Sequence, residues 1–224
     1  MSILFLFAVY TALLCGLIAV VCSGKYRKYY IWAKAACSFS FLAVLFAARF
    51  LTGENDRFFM MLPAFFCCFA GDILLGFYNR FRRKPQFLAG LFVFLAGHLF
   101  FVRWICTEGG MAFSDVLFPL GAVGLALLLT SMKRMHTGRL RPFTLIYAFF
   151  VALFFSAAVR LAVTRPAWEN AAAALGAGLI LVSDISILFL YFYKRGGVKI
   201  HVFNLLTYYY GMFVLAGSLF LFSI

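Results

Sequence analysis

Charge is scarce in this chain. Of its 224 residues 12% are charged, where a soluble domain carries about 25%. So little charge cannot cover a water-facing surface, and almost every residue falls in an apolar run or a short loop, which leaves no room for a separate soluble domain. Histidine is limited to 3 residues, His98, His136 and His201, too dispersed for a His-rich metal centre. The 6 cysteines include no CxxC pair and sit mostly in apolar runs (Cys15, Cys37, Cys67, Cys68), which argues against a disulfide or zinc framework. There is no GxSxG, HExxH, P-loop or Rossmann fingerprint. No cofactor or resident metal is expected, although Asp72, Asp184 and His98 could hold a divalent ion, which their spacing neither supports nor excludes. Short alternating segments, the signature of a membrane barrel, are missing too. The first apolar run has no charged leading segment and no small-x-small cleavage site, so it is expected to stay as a helix.

What is present is apolar: 66% of residues are hydrophobic and 31 are phenylalanine. A bilayer core about 30 Å thick needs roughly 20 apolar residues per helix. Eight such runs follow one another, at Ser2–Cys22, Tyr30–Leu51, Phe58–Phe77, Gln86–Cys106, Phe113–Met132, Phe143–Val163, Glu169–Phe192 and Val202–Phe222. The reading is an all-α integral membrane protein in one transmembrane domain spanning residues 1–224, multi-pass in the cell (plasma or inner) membrane. The net charge of +13 does not imply nucleic acid, because the basic residues punctuate the apolar runs instead of forming a soluble face. Loop one has Lys25, Arg27 and Lys28; loop three Arg80, Arg82, Arg83 and Lys84; loop five Lys133, Arg134, Arg139 and Arg141; loop seven Lys194, Arg195 and Lys199. The even loops hold only Arg57 and Arg165, with Arg49, Arg103 and Arg160 near adjoining helix ends, where they are expected to snorkel to lipid phosphates. The positive-inside rule then puts the odd loops in the cytoplasm and both termini outside.

Asp72 interrupts an apolar run in "CCFAGDILLGFYNR", and Asp184 interrupts another. Each costs about 2.5–3.5 kcal/mol near mid-membrane on insertion scales. At the helical rise, Asp72 lies roughly 8 Å and Asp184 roughly 12 Å from the cytoplasmic end, His98 lies roughly 18 Å in, and Lys34 about one turn in. Four ionisable groups on four helices therefore share the cytoplasmic half, and a polar cavity open to the cytoplasm accounts for all of them. Ala64, Cys68, Asp72 and Gly76 form a stripe of small residues, Gly90 and Gly97 mark a similar face beside His98, and Ala173 and Ala177 precede Asp184. Such stripes let membrane helices approach closely, so these faces should point into the bundle. "GDILLGFY" in helix three also resembles "SDISILFLYFY" in helix seven, which suggests two parallel four-helix halves.

At these residues the chain resembles the YhhN family. The resemblance rests on the lysine early in helix two, "GDILL", "FLAGLFVFLAGHLFFV" and "LVSDISILF", and covers nearly the whole chain. Lys34 is followed by Ala35 where the family often has proline, and the last helix reads "YYYGMF" where a glutamine is common. Characterised members are transmembrane lysoplasmalogenases. The resemblance therefore implies hydrolysis of the vinyl ether of a lysophospholipid, giving a fatty aldehyde and a glycerophospho-alcohol.

The chemistry needs no nucleophilic serine. Protonation of the β-carbon gives an oxocarbenium-like cation, water adds, and the hemiacetal collapses. Glycosidases meet similar needs with an acidic and an ionised carboxyl group. Asp72 and Asp184 are the candidate pair, one protonated and one charged, with His98 orienting water or relaying protons. Lys34 would bind the substrate phosphate or hold one aspartate ionised. Asn204 and Tyr209 are the remaining candidate substrate contacts, and membrane lipids and the lysophospholipid are the expected partners. Two other readings compete: a proton-coupled small-molecule or lipid transporter, and a lipid-binding bundle without turnover.

Overall fold

Eight apolar segments separated by short basic or capped turns can satisfy their backbone groups in lipid only as helices, and a computed structural model describing residues 3–23, 26–193 and 197–223 has that form. The helices are α1 (Ile3–Ser23), α2 (Tyr30–Thr52), α3 (Asp56–Phe81), α4 (Lys84–Gly109), α5 (Ser114–Thr130), α6 (Arg141–Thr164), α7 (Trp168–Phe192) and α8 (Val198–Ser218). Among the described residues there is no strand, only an isolated bridge between Met135 and Tyr193. Ser2, at the start of the first expected span, and Lys25, Lys194 and Arg195 of the basic loops lie outside the described residues.

The helix ends follow local chemistry. Gly53 takes a left-handed conformation (φ 74°) and closes α2 through its N–H on the Arg49 carbonyl. Pro85 and Pro142 open α4 and α6, where a missing N–H costs nothing. Asp56, Asp115 and Glu169 stand in the first turns of α3, α5 and α7, complementing the helix dipole.

Seven of the helices are long and apolar enough to cross a membrane, and α5 is the exception at 17 residues. It was expected to run from Phe113 to Met132. Side chains pin both its ends instead. Asp115, buried at its start, is held by Arg160 at 2.7 and 2.9 Å. At its far end Arg141 binds Thr130 Oγ1 (3.2 Å) and the Leu127 carbonyl (3.3 Å). Arg160 therefore does not reach out to lipid as expected: its remaining nitrogens donate to the carbonyls of Gly109 (3.2 Å) and Gly110 (2.7 Å). Arg49 is likewise tied down, with Nε on Asn55 Oδ1 (3.0 Å) and its guanidinium over Phe58. Arg103 is exposed.

The packing follows the repeat suggested by the two Asp-Ile motifs. α3 packs on α4 as α7 packs on α8, α2 on α3 as α6 on α7, and α1 on α2 as α5 on α6; between the halves, α2 meets α8 as α6 meets α4. Two glycines make the correspondence residue by residue. A Cβ on Gly97 would meet the Ala64 carbonyl, Cys67 Cβ and Cys68 Sγ at 3.3 Å. A Cβ on Gly211 would meet the Gly176 carbonyl, Leu179 Cβ and Ile180 Cγ1 at 3.0–3.2 Å. Ala64, Cys67 and Cys68 map onto Gly176, Leu179 and Ile180 with the offset of 112 that relates Asn79 to Tyr191. It also relates Asp72 to Asp184. Helices four apart run in the same direction, so the halves are parallel.

Glycine suits these two seams because a Cβ would come within 3.0–3.3 Å of a facing carbonyl and side chain, tighter than ordinary packing. Gly97→Leu and Gly211→Leu should each push their helix pair apart and cost about 1–3 kcal/mol, read as a lower midpoint of thermal unfolding in detergent micelles. Gly16→Leu, at a site with open space around it, should leave the midpoint unchanged.

Candidate active site

Asp72 lies on the face of α3 turned toward α2 and α8 and is 1% exposed. A carboxylate buried this deeply must be paired and hydrogen-bonded. Lys34 Nζ of α2 approaches Oδ1 at 2.6 Å, at an angle outside the hydrogen-bonding range. Ser38 Oγ, one turn along α2, donates to Oδ2 at 2.6 Å, and Tyr208 of α8 donates to the same oxygen at 2.9 Å. Lys34 itself is 7% exposed, with its ammonium 5.7–5.8 Å from the ring centres of Tyr208 and Tyr209. With one cation and two hydroxyl donors around it, Asp72 is an anion whose charge is already answered.

Asp184 occupies the equivalent place on α7 with different company. Its Oδ2 is 3.2 Å from His98 Nε2 on α4 and accepts a long hydrogen bond from Tyr147 of α6 at 3.4 Å. The other ring nitrogen of His98 is 2.8 Å from the Phe94 carbonyl. A carbonyl only accepts, so Nδ1 carries a hydrogen. Nε2 and the Asp184 carboxylate would then face each other as two acceptors unless a proton lies between them. A proton between them would answer both acceptors; the Nε2 contact itself is off-axis for a hydrogen bond.

The two carboxylates belong to one electrostatic environment, since Cys68 and Tyr147 each lie within reach of both. The Tyr208 ring, whose hydroxyl binds Asp72, packs edge-on against Phe94 (6.0 Å), whose carbonyl fixes His98. Among the described residues no three of His, Cys, Asp and Glu converge as metal ligands would.

The remaining expected contacts are placed differently. Asn204 turns onto α7, its Nδ2 donating to the carbonyl (2.9 Å) and Oγ (2.8 Å) of Ser183. Tyr209 is fully enclosed, its hydroxyl 2.9 Å from Ser38 Oγ and 3.3 Å from the Lys34 carbonyl. Its own carbonyl accepts from Tyr10 at 2.6 Å. Tyr209 thus bears on Ser38 and Lys34, which touch Asp72, whereas Asn204 fixes Ser183, the chain neighbour of Asp184. Sequence reasoning missed Ser38, Tyr147 and the hydroxyl of Tyr208. One signal was available: Ser38 lies one turn from Lys34, on the same face of α2.

Two openings approach this centre. A narrow apolar groove of about 90 Å³ lies between α5, α6 and α7. Leu125, Leu129, Val151 and Leu188 are among its walls, and Tyr147 and Asp184 stand among its lining residues. Leu125 and Ile185 at this groove are exposed on the outside of the bundle, where lipid chains would run. A larger cavity of about 520 Å³ lies at the basic end of the bundle, among α1, α2, α3, α7 and α8. Asn204 and Tyr209 line neither.

The fold and site define a multi-pass helical membrane protein with one buried and one partly buried aspartate, differently partnered. The chain matches the YhhN family over residues 29–219 and belongs to it. No curated protein and no solved structure matches it.

The Lys34–Asp72 pair yields a test of stability. Lys34→Met leaves a buried carboxylate without its cation and should cost about 3–5 kcal/mol. The double variant Lys34→Met/Asp72→Asn removes both charges and should recover most of that loss. Denaturant or thermal unfolding in micelles measures both, and a single variant as stable as wild type would sink the pairing.

Proposed function

We propose that this protein is a lysoplasmalogenase-type hydrolase of the cell membrane, cleaving the vinyl ether of a single-chain ether phospholipid. The observation that carries the reading is the 3.2 Å contact between His98 Nε2 and Asp184 Oδ2 beside a lipid-facing apolar groove that Asp184 itself lines. A partly buried acid lining an apolar groove suits a substrate whose reactive bond sits at the head of its chain.

In the proposed reaction the pair protonates the β-carbon of R–CH=CH–O–R′, and the C=C electrons form the new C–H bond. The resulting oxocarbenium ion is stabilised by the Asp184 carboxylate left behind. Water adds at the α-carbon and its proton returns to the His98–Asp184 pair. The hemiacetal then breaks to R–CH2–CHO and HO–R′, the hydroxyl proton passing through the same pair to the departing oxygen. One acid–base pair thus serves both steps, as the general acid does in retaining glycosidases. Tyr147 orients Asp184. Asp72, neutralised by Lys34, holds Tyr208 and the α2–α3–α8 contact in place, so Lys34 is assigned to Asp72 and not to the substrate phosphate.

A second reading, proton-coupled transport, draws on the parallel halves, an architecture common among transporters. The two separate cleanly. A hydrolase releases aldehyde from a vinyl-ether lysolipid in neutral detergent micelles, whereas a transporter acts only across sealed vesicles.

Asp184→Asn and His98→Gln should each lower kcat for aldehyde release by about 10²–10⁴-fold. Saturated alkyl-ether and ester analogues should not react, because neither has a carbon–carbon double bond next to the oxygen to protonate. Reaction in D2O should place one deuterium on the carbon next to the aldehyde. Wild-type turnover by Asp184→Asn would refute the mechanism.

A further inference from the structure

The cavity at the basic end of the bundle is stacked on the acid site along the same helix faces. Tyr30 lies one turn from Lys34 on α2, Asn79 two turns from Asp72 on α3, Tyr191 two turns from Asp184 on α7, and His201 two turns from Tyr208 on α8. Two turns are about 10 Å of rise. The four side chains join: Tyr191 Oη donates to Asn79 Oδ1 (3.1 Å), Asn79 Nδ2 donates to Tyr30 Oη (3.3 Å), and Tyr30 Oη meets His201 Nε2 (3.2 Å).

The cavity is electropositive. Arg80 and Arg82 stand in its lining, and no carboxylate does. The chain has 7 acidic residues; Glu54, Asp56, Glu108, Asp115 and Glu169 belong to the opposite end of the bundle, and the other two are Asp72 and Asp184. Neither arginine forms an ion pair among the described residues: Arg80 donates to the Lys28 carbonyl (3.0 Å), and Arg82 lies over the Tyr78 ring. The first turn of α8 also begins at the cavity, adding unpaired N–H groups and the positive end of a helix dipole.

Arg82 carries a further sign. It is the only non-glycine residue with positive φ (56°) among the described residues, at the C-cap of α3 where glycine is the ordinary choice. An arginine held in a glycine conformation points to a use for its side chain.

We propose that this cavity binds the phosphodiester of the lipid head group, with Arg80 and Arg82 as its cations and Tyr30, Asn79 and Tyr191 as its neutral hydrogen-bonding wall. The proposal rests on the hydrolase reading for the identity of the lipid, and adds the site of its charged end. A volume of about 520 Å³ is within the range of small-ligand sites, about 300–1,000 Å³. The glycerol unit between an ether oxygen and the phosphorus bridges much of the rise between Asp184 and the cavity.

The test measures binding, not turnover, on the purified full chain in neutral detergent. The probes are a saturated 1-O-alkyl lysophosphoethanolamine, which cannot be hydrolysed by the vinyl-ether route, an uncharged 1-O-alkylglycerol, and inorganic phosphate. Arg82→Gly should weaken the phosphate-bearing lipid about tenfold or more while leaving the unfolding midpoint equal or higher, since glycine prefers that φ. Arg80→Gln should weaken it similarly and supplies a second variant. Lys133→Gln, which removes the same charge elsewhere on the basic end, should not.

Equal affinity for the charged and uncharged lipids, with no effect of either arginine, overturns the proposal. Inorganic phosphate binding as tightly as the lipid overturns it in favour of a free-phosphate site. Loss of binding in the arginine variants without aldehyde release by the wild type leaves the head-group site standing and removes the hydrolase reading. Aldehyde release with binding unchanged does the reverse.

Discussion

A carboxylate carried deep into an apolar bundle must find donors on other helices, and this requirement sets how the two halves interlock. Asp72 on α3 is answered by Lys34 and Ser38 of α2 and by Tyr208 of α8. Asp184 on α7 is answered by Tyr147 of α6 and His98 of α4. In each case the donors come from the second helix of the same half and the fourth helix of the other. Each acid thus has partners in both halves. The cost of a buried unpaired charge is several kcal/mol, so the acids tie the halves together, while the glycine seams close α3 on α4 and α7 on α8 within each half.

The duplicated position has diverged in its chemistry. On one side α2 supplies an ammonium, which makes Asp72 a compensated anion. On the other, α6 supplies a phenol and α4 an imidazole whose second nitrogen is committed to a carbonyl. Access has diverged in parallel. α1 packs on α8 as well as α2 and buries Tyr10, Leu14 and Leu17 there. The short α5 packs on α6 and leaves a groove at Asp184. The half with the compensated ion pair is covered, and the half with the imidazole–carboxylate contact is open to lipid.

Asp72, Asp184, His98 and Lys34 were legible because an ionisable group in an apolar run is expensive and therefore conspicuous. Their distribution over four helices of one membrane half was legible from the basic loops. Of the pairing, only a Lys34–aspartate contact was legible, and Lys34 does meet Asp72. Sequence reasoning coupled the two aspartates to each other, whereas each has its own partners, because helix rotation decides which groups meet and depth alone does not. Ser38 and Tyr147 gave no signal of comparable strength, since hydroxyl side chains are common in membrane helices and back-bond to their own carbonyls, as Ser186 does to Val182. Arg160 was misread for the opposite reason. It looked like a helix-end cation, and its carboxylate partner, Asp115, comes from a separate helix that no count of loop charges connects to it.

The two openings impose a shape on any ligand that uses both. In the proposed complex the apolar groove takes one chain from the lipid side and the basic cavity takes one anionic end, with His98 and Asp184 between them. A groove of about 90 Å³ walled by leucine and valine has little space for a second chain. In the proposed reaction this asymmetry also separates the products. The aldehyde keeps the chain and is favoured by the groove and the surrounding lipid. The glycerophospho-alcohol loses the chain that held it, and the burial of apolar area that opposed its departure goes with it. Its remaining attachment is charge-assisted and faces water, where salt screens it. Breaking one bond next to Asp184 therefore converts a ligand anchored at two ends into two products, each held at one.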